Sequence, residues 1–179
     1  TAVSTATIHD EMQIASWPMC RTRTNVTPHN VDHIRAMALG VVLDFASGPA
    51  VSRHTARNER LTKALTAWMK KVEPAFKYST IQLNYGYASR IHVDHNNRGD
   101  SRILALGQFQ GGDLWCYDPG GNDPWKIKES IYGFPQLQPG DVAKGKTINI
   151  RNRLLAFNGR LPHATTPFTG ERYSIVWFT

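Results

Sequence analysis

Cysteine is scarce: the 179 residues hold two, Cys20 and Cys116, too few for a disulfide framework, so burial has to hold the fold together. The same scarcity points to a reducing, intracellular setting. No apolar run approaches the ~20 residues that a membrane-spanning helix needs. The first residues, Thr-Ala-Val-Ser-Thr-Ala-Thr, lack the basic stretch and apolar core of a secretory leader. Internal repeats, low-complexity tracts and blocks of like charge are also missing, which leaves out solenoids, fibrous chains and a charged tail. What remains, 41% hydrophobic and 20% charged residues, is the composition of an ordinary globular protein, and the length suits one domain over residues 1–179.

Acidic side chains are the minority. Fourteen Asp and Glu against 21 Lys and Arg leave a net charge of +7, which favours an anionic partner: nucleic acid, phosphate or an acidic substrate. Residues 1–90 carry 11 basic and 6 acidic side chains, whereas 91–179 carry 10 and 8. A nucleic-acid substrate predicts that the basic residues of the first half line the rim of the active pocket. If they face away, the charge bears on solubility and little else.

Asn30 and Gly40 bracket an apolar-periodic segment that predicts a short helix over 31–39. A longer helix is expected over 56–72, where Leu61, Leu65, Trp68 and Val72 form one stripe, before Pro74 stops it. The texture then changes to short β-rich runs at 79–85, 90–94, 102–109, 113–117, 148–150, 153–158 and 172–178, separated by Gly, Pro, Asn and Asp. Gly111-Gly112 reads as a hairpin turn. The expected class is mainly β with N-terminal helices (α+β): a helical support region at 1–78 ahead of a sandwich, jelly-roll or barrel core at 79–179.

Residues 90–97 read Arg-Ile-His-Val-Asp-His-Asn-Asn. On a strand His92 and Asp94 would share a face and could reach one ion, two-thirds of the 2-His-1-carboxylate set that holds non-haem Fe(II) with open positions. Among seven histidines a lone His-x-Asp carries little weight. It gains weight from His163, inside Gly-Arg-Leu-Pro-His-Ala-Thr, and from Arg172-Tyr173-Ser174 nine residues further on. Arg172 and Ser174 would share a strand face, and a guanidinium fork with a hydroxyl suits bidentate carboxylate recognition.

Three stretches, NYGYASRIHVDHNN (84–97), ILALGQFQGGDLW (103–115) and FNGRLPHATTPFTGERYSIVWFT (157–179), give the chain a resemblance to the Fe(II)/2-oxoglutarate-dependent dioxygenases. Within them it looks most like the TET/JBP-type nucleic-acid-modifying branch. The resemblance implies a double-stranded β-helix, a jelly roll, with iron on His92, Asp94 and His163. It implies 2-oxoglutarate with its distal carboxylate on Arg172 and Ser174, and Asn84 and Tyr85 near the other end of the cosubstrate. O2 would be the oxidant, and succinate, carbon dioxide and a hydroxylated substrate the products. The substrate suggested by the branch is the 5-methyl group of 5-methylcytosine or thymine in nucleic acid, with a nuclear location if the chain is eukaryotic and acts on DNA. Tyr87, Arg90, His95, Asn96, Asn97 and Trp115 are the candidates on the substrate side.

Other readings compete. The same chemistry could serve a free small molecule or a protein side chain such as proline, or the fold could be a non-catalytic binding module, against which the complete ligand set argues. A zinc-hydrolase His-x-His-x-Asp-His motif would need a histidine where Arg90 stands. Trp115 and Trp125 read as core or lid aromatics as well as candidates for base stacking.

Overall fold

A computed structural model describes residues 3–179. The chain begins with α1 (Thr5–Ile14), β1 (Met19–Cys20), β2 (Ile34–Asp44), β3 (Gly48–Val51), α2 (Arg53–Arg57) and α3 (Glu59–Val72). It continues through β4 (Thr80–Tyr85), β5 (Ser101–Leu106), β6 (Phe109–Gly111), β7 (Leu114–Tyr117) and β8 (Asp123–Lys126). The last elements are β9 (Val142–Ile148), β10 (Leu155–Phe157), β11 (His163–Thr165), β12 (Phe168–Gly170) and β13 (Tyr173–Phe178). A seven-stranded sheet in the order β1-β2-β4-β13-β5-β10, with β3 on β2, faces a four-stranded sheet in the order β11-β7-β9-β8, and β12 pairs with β6 at one end. This is the expected jelly-roll class.

Alternation along the strands gives the large sheet two different faces. Leu39, Ile81, Leu83, Leu104, Ile175 and Trp177 point to one side, where they pack against Ile8 and Met12 of α1 and Leu61, Leu65 and Trp68 of α3. Gln82, Asn84, Ile103, Ser174 and Val176 point to the other and line a cavity between the sheets. The helices therefore cover the back of the sheet that carries the site.

The helix expected over 56–72 is present as α2 and α3, broken at Asn58, and its stripe is buried except for Val72, which is 42% exposed. The helix expected over 31–39 is instead β2. Ile34 and Ala36 are covered by Val26 and Tyr87 on one face while Met37 and Leu39 enter the helix-packed core on the other. A strand buried on both faces loses its alternation and cannot be told from a helix by periodicity; six register pairs with β4 decide the matter. Residues 1–78 are thus no purely helical support, because they supply three strands to the large sheet. Gly111-Gly112 is not a hairpin turn either. It is the corner where the chain leaves β6, paired with β12, and enters β7, paired with β11 and β9. Both glycines have positive φ, +77° and +68°.

Candidate metal centre

His92 lies outside any regular strand, contrary to the strand expected over 90–94, and meets His163 through a single antiparallel bridge. Each backbone N–H donates to the other's carbonyl at 3.0 Å, and Asp94 N–H donates to Gly159 O at 2.8 Å. Three backbone bonds thereby lock residues 92–94 against 159–163, and they set the two imidazoles 4.3 Å apart, centroid to centroid. One short bridge does what a full strand was expected to do.

Both rings are oriented from behind. His92 Nδ1 lies 2.7 Å from Arg90 O and His163 Nδ1 lies 2.8 Å from Leu161 O. A carbonyl can only accept, so both Nδ1 atoms carry the proton and both Nε2 lone pairs are bare, the arrangement typical of metal-bound histidine. Nε2 of His92 is 3.7 Å from Asp94 Oδ1, and Nε2 of His163 is 3.4 Å from Asp94 Oδ2. One donor atom from each residue lies within 4.8 Å of the others, a spacing that a small divalent ion with bonds of about 2.1 Å closes with slight movement. His92 and His163 are buried, and the open side faces the cavity.

Burial, followed by the neighbouring His163, pushes the His92 pKa down from the usual 6.5 to about 3. Burial would raise the Asp94 carboxyl, but the two imidazoles that face it outweigh that and hold the group at about 2. His92 is therefore a neutral imidazole and Asp94 a carboxylate across the working pH range, without protons to displace from either. The unfolded chain takes up a proton at His92 near pH 6.5 that the folded chain refuses until about 3. The resulting stability is fully present above 6.5 and is lost as pH falls toward 3, with Asp94 adding its share between the usual 3.8 and about 2. The melting temperature of the metal-free protein is expected to fall from pH 7 to pH 4, and His92→Gln to flatten that fall. A profile unchanged by the substitution would contradict the assignment.

The cavity beside the three donors measures about 300 Å³. Asn84 and Ser174 stand on its wall as expected, with Asn84 Nδ2 donating to Ser174 Oγ at 3.0 Å. His95, Asn96 and Asn97 also line it. Arg172 lies beside the cavity and is not part of its lining. Its Nε and Nη2 donate to Gly112 O at 3.1 and 2.9 Å, and its guanidinium sits 5.5 Å from the Phe109 ring and 5.4 Å from the Phe168 ring. Burial lowers its pKa to about 10, so it remains charged. A Cβ on Gly112 would come within 2.6 Å of Arg172 Nε, which explains glycine at this corner.

Four candidates fall elsewhere. Tyr85 alternates onto the face opposite Asn84 and stacks on Tyr173 with centroids 4.6 Å apart, so it cannot reach the cosubstrate pocket. Tyr87 is buried behind the wall, where its hydroxyl donates to Asn84 Oδ1 at 2.6 Å. Arg90 is committed to Glu129 at 2.6 and 2.8 Å and to Thr24 O, and acts as a brace. Trp115 is 1% exposed, packs on Trp125 and donates to Asp123 O, so it is core.

Sequence reasoning missed Arg23. It lies 69 positions before His92, in a segment without a motif, and only the fold brings it to the cavity. Among the described residues before position 91 it is the one basic side chain in the lining. The basic residues of α3 lie behind the large sheet, where Arg60 pairs with Glu11 and Lys63 with Glu59. The rim of positive charge expected for a nucleic-acid substrate is not formed by them.

No protein-family model and no curated protein matches the chain. Solved structures do. A 2OG-Fe(II) oxygenase family oxidoreductase from Burkholderia pseudomallei superposes with a TM-score of 0.57 at 15% identity, covering 97% of this chain and 77% of that one. A prolyl hydroxylase from Trichoplax adhaerens, in complex with a hypoxia inducible factor peptide fragment, reaches 0.45 at 14% identity, with 96% and 74% covered. NgTET1 in complex with 5mC DNA reaches 0.43 at 16% identity, with 80% of this chain and 60% of that one covered. At these identities the likeness concerns the fold, that of the 2-oxoglutarate-Fe(II) oxygenases.

Proposed function

We propose that the protein is an Fe(II)- and 2-oxoglutarate-dependent oxygenase that hydroxylates a substrate C–H bond. The observation that carries this is the convergence of His92 Nε2, His163 Nε2 and one Asp94 oxygen at the side of a jelly-roll cavity. Two imidazoles and a carboxylate with an open face are the donor set of non-haem Fe(II) oxygenases, whereas a structural zinc site would close with a fourth ligand. When bound, iron with 2-oxoglutarate and O2 supplies the oxidising power, with succinate and carbon dioxide as by-products. The chain's own part is geometry. Arg90 O and Leu161 O hold the imidazole tautomers, the bridge between His92 and His163 fixes their spacing, and Asn84 and Ser174 present amide and hydroxyl groups to an acid in the cavity. Leu114, Ile103 and Val176 keep the inner wall apolar.

For the substrate, we propose the 5-methyl group of a pyrimidine base in nucleic acid. Its support is the motif resemblance over 84–97, 103–115 and 157–179, and the carboxamides of Asn25, Asn96 and Asn97 on the cavity wall, which can read a base edge. The placement of charge on the back of the sheet favours a second reading, the same chemistry on a small molecule or a protein side chain. Incubation with Fe(II), 2-oxoglutarate and O2 should yield succinate, and with methylated DNA or RNA should yield hydroxymethylated nucleosides by mass spectrometry. Succinate formation stimulated by peptides or amino acids alone would overturn the nucleic-acid assignment and leave the oxygenase standing.

A further inference from the structure

A groove of about 390 Å³ adjoins the metal cavity, and the two meet at Arg23 and Gln82, which line both. Its floor is small and apolar. Ala36 and Ala38 of β2, in register with Asn84 and Gln82 of β4, share the face of the sheet turned away from the helices, and Val42 extends it. The polar lining is cationic. Arg21 and Arg23 come from the segment after β1 and Arg53 and His54 from α2, and no carboxylate lies among the described lining residues. Arg53 is exposed and has no ion pair among the described residues, while Arg21 faces the exposed Asp32 at 3.6 Å. Arg23, at the junction, is held by its backbone. Its carbonyl accepts from Val26 N and Thr27 N, both at 3.2 Å, and Val26 is fully buried against Ile34, Ala36 and Tyr87. Its Nη1 donates to Asn84 Oδ1 at 3.1 Å and to the Tyr87 hydroxyl at 3.2 Å, which leaves three of the five guanidinium donors.

Resting on the nucleic-acid reading of the substrate, we propose that this groove carries the sugar-phosphate backbone of the strand whose base enters the cavity. A base reaches such a cavity only when it is unpaired or turned out of a duplex, so its own strand has to run along the protein surface next to the opening. That strand brings one negative charge per nucleotide, and guanidinium forks bind phosphate oxygens in pairs. Arg21, Arg23 and Arg53 form a run of such forks leading away from the cavity, and the apolar floor accepts sugars and base faces without leaving a polar group unpaired. A small acidic substrate held inside the cavity would meet Arg23 alone, because Arg21 and Arg53 line the groove and not the cavity. Part of the positive charge of the first ninety residues thus lies beside the metal site after all. It comes from β1 and α2, whereas the cations of α3 stay behind the sheet.

The test is the affinity of the full chain for a fluorescein-labelled single-stranded DNA oligonucleotide, measured by anisotropy over a series of salt concentrations. The double variant Arg21→Gln/Arg53→Gln should bind about ten-fold more weakly at low salt, and its plot of log affinity against log salt should be shallower by about 1.4, two phosphates at about 0.7 each. Both side chains are exposed, so the melting temperature should stay that of wild type. Lys70→Gln/Lys71→Gln removes the same charge from α3 and should leave affinity within about two-fold and the slope unchanged. Equal losses for the two double variants would overturn the groove and leave only an effect of net charge. A wild-type chain that does not bind the oligonucleotide would overturn it too, as would equal displacement of the oligonucleotide by a glutamate-rich peptide of the same charge. The substrate reading fails separately. Arginine-dependent binding without hydroxymethylated nucleosides would refute base oxidation and keep the groove, whereas such nucleosides formed equally well by Arg21→Gln/Arg53→Gln would keep the substrate and refute the groove.

Discussion

Asp94→Ala is expected to weaken divalent-metal binding by more than about 100-fold and to abolish product formation, since loss of even an outer partner of a metal ligand costs 10–100-fold. Asp94 is the anionic member of the set and the group that both imidazoles face, at 3.7 and 3.4 Å. Without it only the two imidazole Nε2 atoms remain, and neither a carboxylate charge nor a third donor holds an ion. Asp94→Asn should fail nearly as badly, because the shape survives and the charge does not. The backbone bridge between His92 and His163 does not pass through the carboxylate, so both variants should keep the wild-type circular dichroism spectrum. Fe(II) or Mn(II) affinity within about ten-fold of wild type would contradict the assignment of Asp94 as a ligand.

The largest effect on stability is expected at Trp177. Its side chain is fully buried in the core between the large sheet and α3, stacked on Trp68 at 5.7 Å and 25°. Trp177→Ala should cost about 3–5 kcal/mol, transfer and cavity terms together, a large part of the 5–15 kcal/mol by which domains are usually stable. Its indole N–H is buried without a partner among the described residues. Trp177→Phe removes that donor along with part of the packing, so it should cost much less than alanine. Denaturant unfolding checks both, and an alanine variant within about 1 kcal/mol of wild type would show that this face is not the main core.

Residue type, order and spacing were enough to bring out the candidate metal-ligating set, because a chelating set has to be those residues whatever backbone carries them. His92, Asp94 and His163 come together as expected even though the predicted strand at 90–94 is a single bridge. The long helix was legible because α3 sits on a surface and keeps an apolar stripe. β2 was not, because burial on both faces erased its period, and the Gly111-Gly112 corner was not, because two left-handed glycines look the same whether the strands they join pair or part. Tyr85 and Asn84 are adjacent residues assigned to one pocket, yet strand alternation sends them to opposite sides of the sheet. Arg23 was invisible for a different reason. It reaches the cavity by a tertiary route, through a buried valine and a turn, that leaves no local signature.

The most direct measurement is the visible absorption spectrum of anaerobic wild-type protein on addition of Fe(II) and then 2-oxoglutarate. A weak metal-to-ligand charge-transfer band is predicted to grow with 2-oxoglutarate and to be missing in Asp94→Ala and His92→Ala. A wild-type protein that binds Fe(II) yet develops no such band with saturating 2-oxoglutarate would contradict the assignment of an Fe(II)/2-oxoglutarate oxygenase.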